Sequence, residues 1–114
     1  MHIDSFHFGQ IVIDNKEYTN DCIILGDKVL PDWWRKEGHM LNAEDINSVI
    51  EARPSMLIVG CGVSKKMKIA NDVHKQLHKN NIELITYDTP KAAEKFNEQI
   101  NKDNKIAAAF HLTC

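Results

Sequence analysis

Met56-Leu-Ile-Val-Gly-Cys-Gly62 and Ile106-Ala-Ala-Ala-Phe-His-Leu-Thr-Cys114 are the two stretches whose reading decides the fold. Each is a run of apolar residues with glycine, cysteine, histidine or threonine at its C-terminal end. A strand covered on one face alternates apolar and polar residues, whereas one covered on both faces reads as a near-continuous apolar run. The first is read as a strand over 56–59 bounded by Gly60 and Gly62, the second as a strand over 105–112. Between them Ile69, Val73 and Leu77 share one helical face, which predicts a helix over 71–79. Ile82-Glu-Leu-Ile-Thr-Tyr87 reads as the next strand. Thr89 then reads as the cap of a helix with Pro90 at its first position, and Ala93, Phe96, Asn97 and Ile100 follow at helical spacing. Strands alternating with helices predict crossover units, and so parallel strands with helices over their faces.

Upstream the pattern changes. Phe6-His-Phe-Gly-Gln-Ile-Val-Ile13 and residues 17–25 read as two strands of a hairpin around the turn Asp14-Asn-Lys16, since Asp and Asn tolerate left-handed backbone. Gly26-Asp27 breaks the second run, and Lys28-Val-Leu30 reads as a short further strand before Pro31. Asp32-Trp-Trp-Arg-Lys-Glu-Gly-His39 has no period and reads as an ordered loop. Asn42 is a plausible cap for a helix over 43–52, with Glu44 and Asp45 in its first turn, where the helix dipole favours negative charge. The expected architecture is one α/β domain over residues 1–114, three layers deep. A mixed central sheet of about five strands carries covering helices and an N-terminal β-hairpin.

Composition narrows the function classes. With 43% hydrophobic residues among 114, the chain can form one core that hides roughly 65% of the unfolded surface. Its 14 basic and 16 acidic residues leave a net charge of −2, which provides no pull toward nucleic acid or an anionic membrane. No apolar run approaches the roughly 20 residues of a membrane helix. The first residues show neither a secretory nor a transit pattern. Three unpaired cysteines, Cys22, Cys61 and Cys114, argue for a reducing compartment rather than a disulfide framework. A cytoplasmic protein is expected.

The candidate site residues fall in three places. Gly60-Cys-Gly-Val-Ser-Lys65 follows a buried strand, where open α/β sheets bind ligands. Glycines there let backbone N–H groups approach an anion, and Lys65 adds charge. The spacing fits neither a phosphate loop nor a dinucleotide fingerprint, so tight turning and close packing are the competing explanation. Cys61 between these glycines and His111 at the end of another strand would make a nucleophile and base if the strands run parallel. The second place is the loop Trp33-Trp-Arg35 with His39. Trp and Arg are enriched at interaction hot spots, while the bland alternative has one Trp cover the sheet edge and Arg35 pair with an acid such as Glu37. The third is Cys114, beside His111 at the end of the last strand. His74 and His78 stand one helical turn apart, but Lys75 replaces the glutamate of a metalloprotease and no third ligand is evident. No metal site is expected, and no paired acids stand in an apolar context.

The order Phe8-Gly9, Tyr18, Asp21, Trp33-Trp34-Arg35, Gly38-His39, Leu57-Ile-Val-Gly-Cys-Gly62, Thr89, Ala93, Phe96-Asn97 and the closing Ala109-Phe-His-Leu-Thr-Cys114 resembles the Mth-type domain-of-unknown-function family over nearly the whole chain. That family includes bacterial and archaeal single-domain proteins, a mitochondrial complex I assembly factor and an adipogenesis-associated protein. The resemblance implies a three-layer α/β domain with no established enzyme activity or cofactor. It implies that Arg35, Gly60, Gly62, His111 and Cys114 gather near one crevice. Cys61 departs from the family pattern, and the missing targeting extension suits a bacterial member. Three functions are therefore weighed. The favoured one is a non-enzymatic binding or assembly module for a protein partner, with respiratory complexes as one setting. The alternatives are an anion or small-molecule binder, or an undetected enzyme, using the Gly60–Gly62 turn, and a chain that only forms homo-oligomers.

Overall fold

The computed structural model describes residues 1–102 and 105–114. Its centre is a five-stranded mixed sheet in the order β5-β4-β10-β7-β9. These strands are β4 (Cys22–Leu25), β5 (Lys28–Leu30), β7 (Met56–Cys61), β9 (Glu83–Tyr87) and β10 (Ile106–His111). β7, β9 and β10 run parallel, as the alternating pattern predicts, while β4 runs antiparallel to β10 and β5 antiparallel to β4. Above this sheet lies a separate antiparallel sheet of β1 (Ile3–His7), β2 (Gln10–Ile13) and β3 (Lys16–Tyr18). A parallel pair of two-residue strands, β6 (Met40–Leu41) and β8 (Lys68–Ile69), fastens the loops at one end.

β10 shows why its sequence is apolar throughout. Ala107 and Ala109 face a core with Trp33, Val49, Val59, Val73 and Leu77. That core lies under α1 (Asn47–Ala52) and α2 (Asn71–Lys79). Ile106, Ala108, Phe110 and Leu112 face a second core with Ile3, Ile11, Ile13, Ala92 and Phe96. This one lies under α3 (Thr89–Ile100) and the small sheet. The central sheet is thus covered on both faces, and the three-layer expectation holds.

Several local readings are corrected. The run 6–13 is not one strand, because Gly9 (φ 80°) turns the chain between His7 and Gln10 and makes a first hairpin. Asp14 (φ 48°) and Asn15 (φ 67°) make the expected second turn. The run 17–25 belongs to two sheets: β3 ends at Tyr18, and the chain crosses over 19–21 into β4. The expected 43–52 helix opens as a 3₁₀ turn, Ala43–Ile46, before α1 begins. Asp88, not Thr89, caps α3, accepting the Lys91 N–H at 3.0 Å, and Pro90 is the helix's second residue. Thr89 is otherwise engaged.

That engagement explains the glycines. β7 continues through Gly60 and Cys61, so Gly60 is a strand residue paired with Tyr87 and Phe110. A Cβ there would lie 2.9 Å from Thr89 Oγ1 and 3.0 Å from Phe110. Gly62 (φ 97°) makes the actual turn, and a Cβ on it would overlap the backbone of Cys114. The buried Thr89 hydroxyl accepts the Gly62 N–H at 2.9 Å and donates to the His111 carbonyl at 2.6 Å, latching α3, β7 and β10 together. Thr89→Val keeps the shape and deletes both bonds, leaving buried groups unpaired. It is expected to lower unfolding free energy by about 2 kcal/mol. Urea titration of the two proteins checks this, and an unchanged midpoint would remove the latch.

Candidate functional site

The crossing from the small sheet to the central one places Asp21 beside the end of β10. Its Oδ1 accepts the Leu112 N–H at 2.7 Å, and its Oδ2 lies 2.8 Å from His111 Nδ1 and 2.8 Å from Arg35 Nη1. The Asp21 carbonyl accepts the Trp33 N–H at 2.7 Å. One residue thus ties the end of the last strand to the Trp-Trp-Arg loop. Arg35 is held hard: 95% of its side chain is hidden, its fork bonds to the Gly38 carbonyl, and its guanidinium stacks 4.7 Å from the Trp33 ring. Nη1 meets Asp21 as a close charge contact off the line of its N–H bonds, so it makes an ion pair there without a hydrogen bond. Arg35 does pair with an acid, but that acid is Asp21 and not Glu37.

Burial is the largest influence on the Asp21 carboxyl and would raise it. The bonds from His111 and the Leu112 N–H, with the Arg35 guanidinium, together outweigh burial and hold it below the usual carboxylate range. His111 Nδ1 lies 2.8 Å from the Asp21 carboxylate and 3.0 Å from Arg35 Nη2, so an acceptor and a donor both meet the same ring nitrogen. Its Nε2 lies 3.4 Å from the Thr113 hydroxyl. His39 meets the same ring edge-on, with centroids 5.8 Å apart.

These groups border a cleft of about 300 Å³ lined by Asn20, Asp21, Trp34, Arg35, His111 and Thr113, among others. Of the larger hollows, those of about 480 and 430 Å³ sit at the opposite end of the sheet near Gly26, and one of about 390 Å³ lies beside Lys36, Glu37 and Asp72. The structure therefore brings together Trp33, Trp34, Arg35, His39 and His111. It separates the two tryptophans by role: Trp33 is buried, with its indole N–H on the Asp45 carbonyl at 2.9 Å, while Trp34 is 74% exposed. Gly60, Cys61 and Gly62 are packing positions outside the cleft lining. Cys114 is half-buried, and its carbonyl accepts the N–H groups of Ser64 and Lys66. Lys65 is exposed and stands outside the cleft lining.

Two chemical readings meet specific geometry. Cys61 and His111 are paired across parallel strands, as a nucleophile–base reading requires. Yet burial pushes the Cys61 thiol up despite Lys65 and Lys68, and His111 Nδ1 is committed to Asp21. In the 62–67 loop, Gly62 gives its N–H to Thr89, Val63 to Thr113, Ser64 and Lys66 to Cys114, Lys65 to Gly62, and Met67 to Cys61. No backbone donor of that loop is left for an anion. Cys22 is also inert, its thiol pushed up to about 12 by burial and the neighbouring Asp21. His74 and His78 are exposed, and no metal-ligand cluster occurs among the described residues. Asp21 and Thr113 are the functional candidates that the site reading missed. A lone acid just ahead of Cys22-Ile-Ile was the available signal for the first.

An α/β domain whose sheet end carries an acid–arginine–histidine cluster beside an exposed tryptophan is the class that this geometry defines. The chain belongs to the family described as Protein of unknown function (DUF498/DUF598), whose profile matches residues 3–111. Similar folds occur in the conserved hypothetical protein PH1505 of Pyrococcus horikoshii OT3, 24% identical with a TM-score of 0.85 over 100% of both chains. A protein from Bartonella henselae described as an outer membrane protein is 21% identical, TM-score 0.84, over 98% of this chain and 94% of that one. A Bordetella pertussis protein described as a Mth938-like domain is 14% identical, TM-score 0.78, over 97% of this chain and 85% of that one. The Mth-type resemblance therefore holds. No described helix is long and apolar enough to cross a membrane.

A depressed carboxyl contributes stability that is present above its unfolded value and lost as pH falls through its folded value. Asp21 should therefore stabilise the fold fully at neutral pH and cease to do so on acidification below about pH 4. Asp21→Asn is expected to cost about 3 kcal/mol at pH 7, because it strands a buried guanidinium. The deficit should shrink toward zero in strong acid. Denaturant titrations of both proteins across pH check this, and a deficit independent of pH would refute the charge argument.

Proposed function

We propose that this protein is a non-enzymatic binding module that docks a protein partner at the end of the sheet where β7 and β10 finish. One observation carries the reading. Among the described residues the exposed large hydrophobics are Phe8 (65%), Trp34 (74%) and Val63 (41%), and the segments that carry them all meet the Leu112–Thr113 segment. Gly9, next to Phe8, donates its N–H to the Leu112 carbonyl at 2.8 Å. Val63 donates to the Thr113 carbonyl at 2.6 Å. Trp34 lines the cleft that Thr113 also lines. An exposed tryptophan on a loop pinned by Trp33 and Arg35 loses little conformational freedom on binding, which suits a hot spot. The kinship with assembly factors implied by the family resemblance makes subunits of a membrane complex the first partners to test.

A second reading, a small molecule in the cleft, is supported by polar residues, His111 and Thr113 among them, lining an open volume of about 300 Å³. Affinity purification of the tagged protein from its own cells, followed by native mass spectrometry, separates the two. Arg35→Ala would loosen the loop itself, so Trp34→Ala is the informative variant. It should leave the melting midpoint unchanged and weaken a captured stoichiometric partner roughly thirtyfold, the equivalent of a 2 kcal/mol hot spot. A retained small molecule with no protein partner, or capture undiminished in Trp34→Ala, would overturn the module reading.

A further inference from the structure

The two edges of the central sheet are treated differently by the sequence. β5 is three residues long, carries Lys28 and runs into Pro31, the usual ways of blunting an edge. β9, at the other edge, is Glu83-Leu-Ile-Thr-Tyr87: five residues with no proline, no lysine and no bulge. Among the described residues its only strand neighbour is β7. The Glu83 N–H donates to the Ser55 carbonyl, on the β7 side. Since N–H and C=O groups alternate sides along a strand, the backbone groups of Leu84 and Thr86 face outward. No backbone bond that reaches them from a loop or helix occurs among the described residues. Leu84, Ile85, Thr86 and Tyr87 remain half-exposed although helices lie on both faces of the sheet.

We propose that β9 is an interaction surface for a second copy of this chain, the two β9 strands pairing antiparallel about a twofold axis through Ile85. The outward groups select this register. Leu84 of each copy then stands opposite Thr86 of the other, and both are hydrogen-bonding positions, so the edges close with paired N–H and C=O groups. The charges agree with it. Glu83 comes opposite Tyr87 of the second copy, and the Lys91 ammonium lies 5.5 Å over that ring. The one acid on the strand thus meets a cation rather than its own symmetry mate. α3 sits mainly over β7 and β10, which leaves the edge open to approach. The result is a continuous ten-stranded sheet with the Trp34 clefts remote from the junction. This pairing is independent of the partner-binding reading.

Site-directed crosslinking in a Cys114→Ser background tests the register. Residue 85 faces itself across the axis at a Cβ separation that a disulfide spans, whereas residue 86 meets its own mate only on a longer diagonal. Ile85→Cys should therefore form a disulfide dimer under mild oxidation at about tenfold higher yield than Thr86→Cys. Sedimentation equilibrium of the unmodified chain should show a concentration-dependent dimer. Thr86→Pro, which removes an outward N–H without touching the β7 ladder, should sediment as a monomer with an unchanged circular dichroism melt. A chain that stays monomeric at every concentration would overturn the proposal. So would equal crosslinking at both positions, or a dimer unaffected by a folded Thr86→Pro.

Discussion

Asp21 is the point on which the rest of the site depends. Its carboxylate is shared by the Leu112 amide, the His111 ring and the Arg35 guanidinium, and its carbonyl takes the Trp33 amide. Remove the charge and the buried Arg35 guanidinium loses its counter-charge while the bonds to His111 and the Leu112 amide weaken, at a cost larger than the worth of any single bond. The constraint is topological as much as electrostatic. Asp21 lies in the short crossing from the small sheet to the central one, so the hairpins, the last strand and the Trp-Trp-Arg loop are fixed relative to one another by one side chain. The exposed Trp34 inherits its position from that network, because its neighbours on both sides are immobilised.

The proposed recognition role draws on the same network. A reactive centre needs a nucleophile with a lowered pKa and free donors for developing charge. Here burial pushes the Cys61 thiol the other way, and the amides from Gly62 to Met67 are spent on Thr89, on Thr113 and Cys114, and on the carbonyls of Cys61 and Gly62. The Asp21–Arg35 pair neutralises itself. What faces solvent is an aromatic ring, a second aromatic at the hairpin tip, a valine and a few hydrogen-bonding groups. That composition resembles an interface core with a polar rim.

The parts of the fold that the sequence made legible are those governed by local periodicity. The strands expected over 56–59 and 105–112 form as Met56–Cys61 and Ile106–His111, and the 3.6-residue spacing in α2 and α3 and the Asp14-Asn15 turn appear where expected. The parts it hid are non-local. Nothing in residues 17–25 says that Tyr18 and Cys22 pair in different sheets, and Gly9 sits inside an apolar run that masks its turn. Gly60 reads as a turn residue from its neighbours, but its missing Cβ answers to Thr89, which packs against it from the next crossover. The Trp33-Trp34-Arg35 loop stood out because its composition is unusual. Its acid did not, because Glu37 is closer in sequence and Asp21 is brought near only by the fold.

Native-state amide hydrogen exchange on Arg35→Met tests the central claim most directly, since it reads each amide separately. If the Asp21 network is what fixes the loop to the sheet end, the Trp33 and Leu112 amides should exchange far faster than in the unmodified protein. The amides of β7 and of β10 up to Ala109 should keep their protection. Uniform loss of protection across the sheet, or unchanged exchange at Trp33 and Leu112, would contradict it.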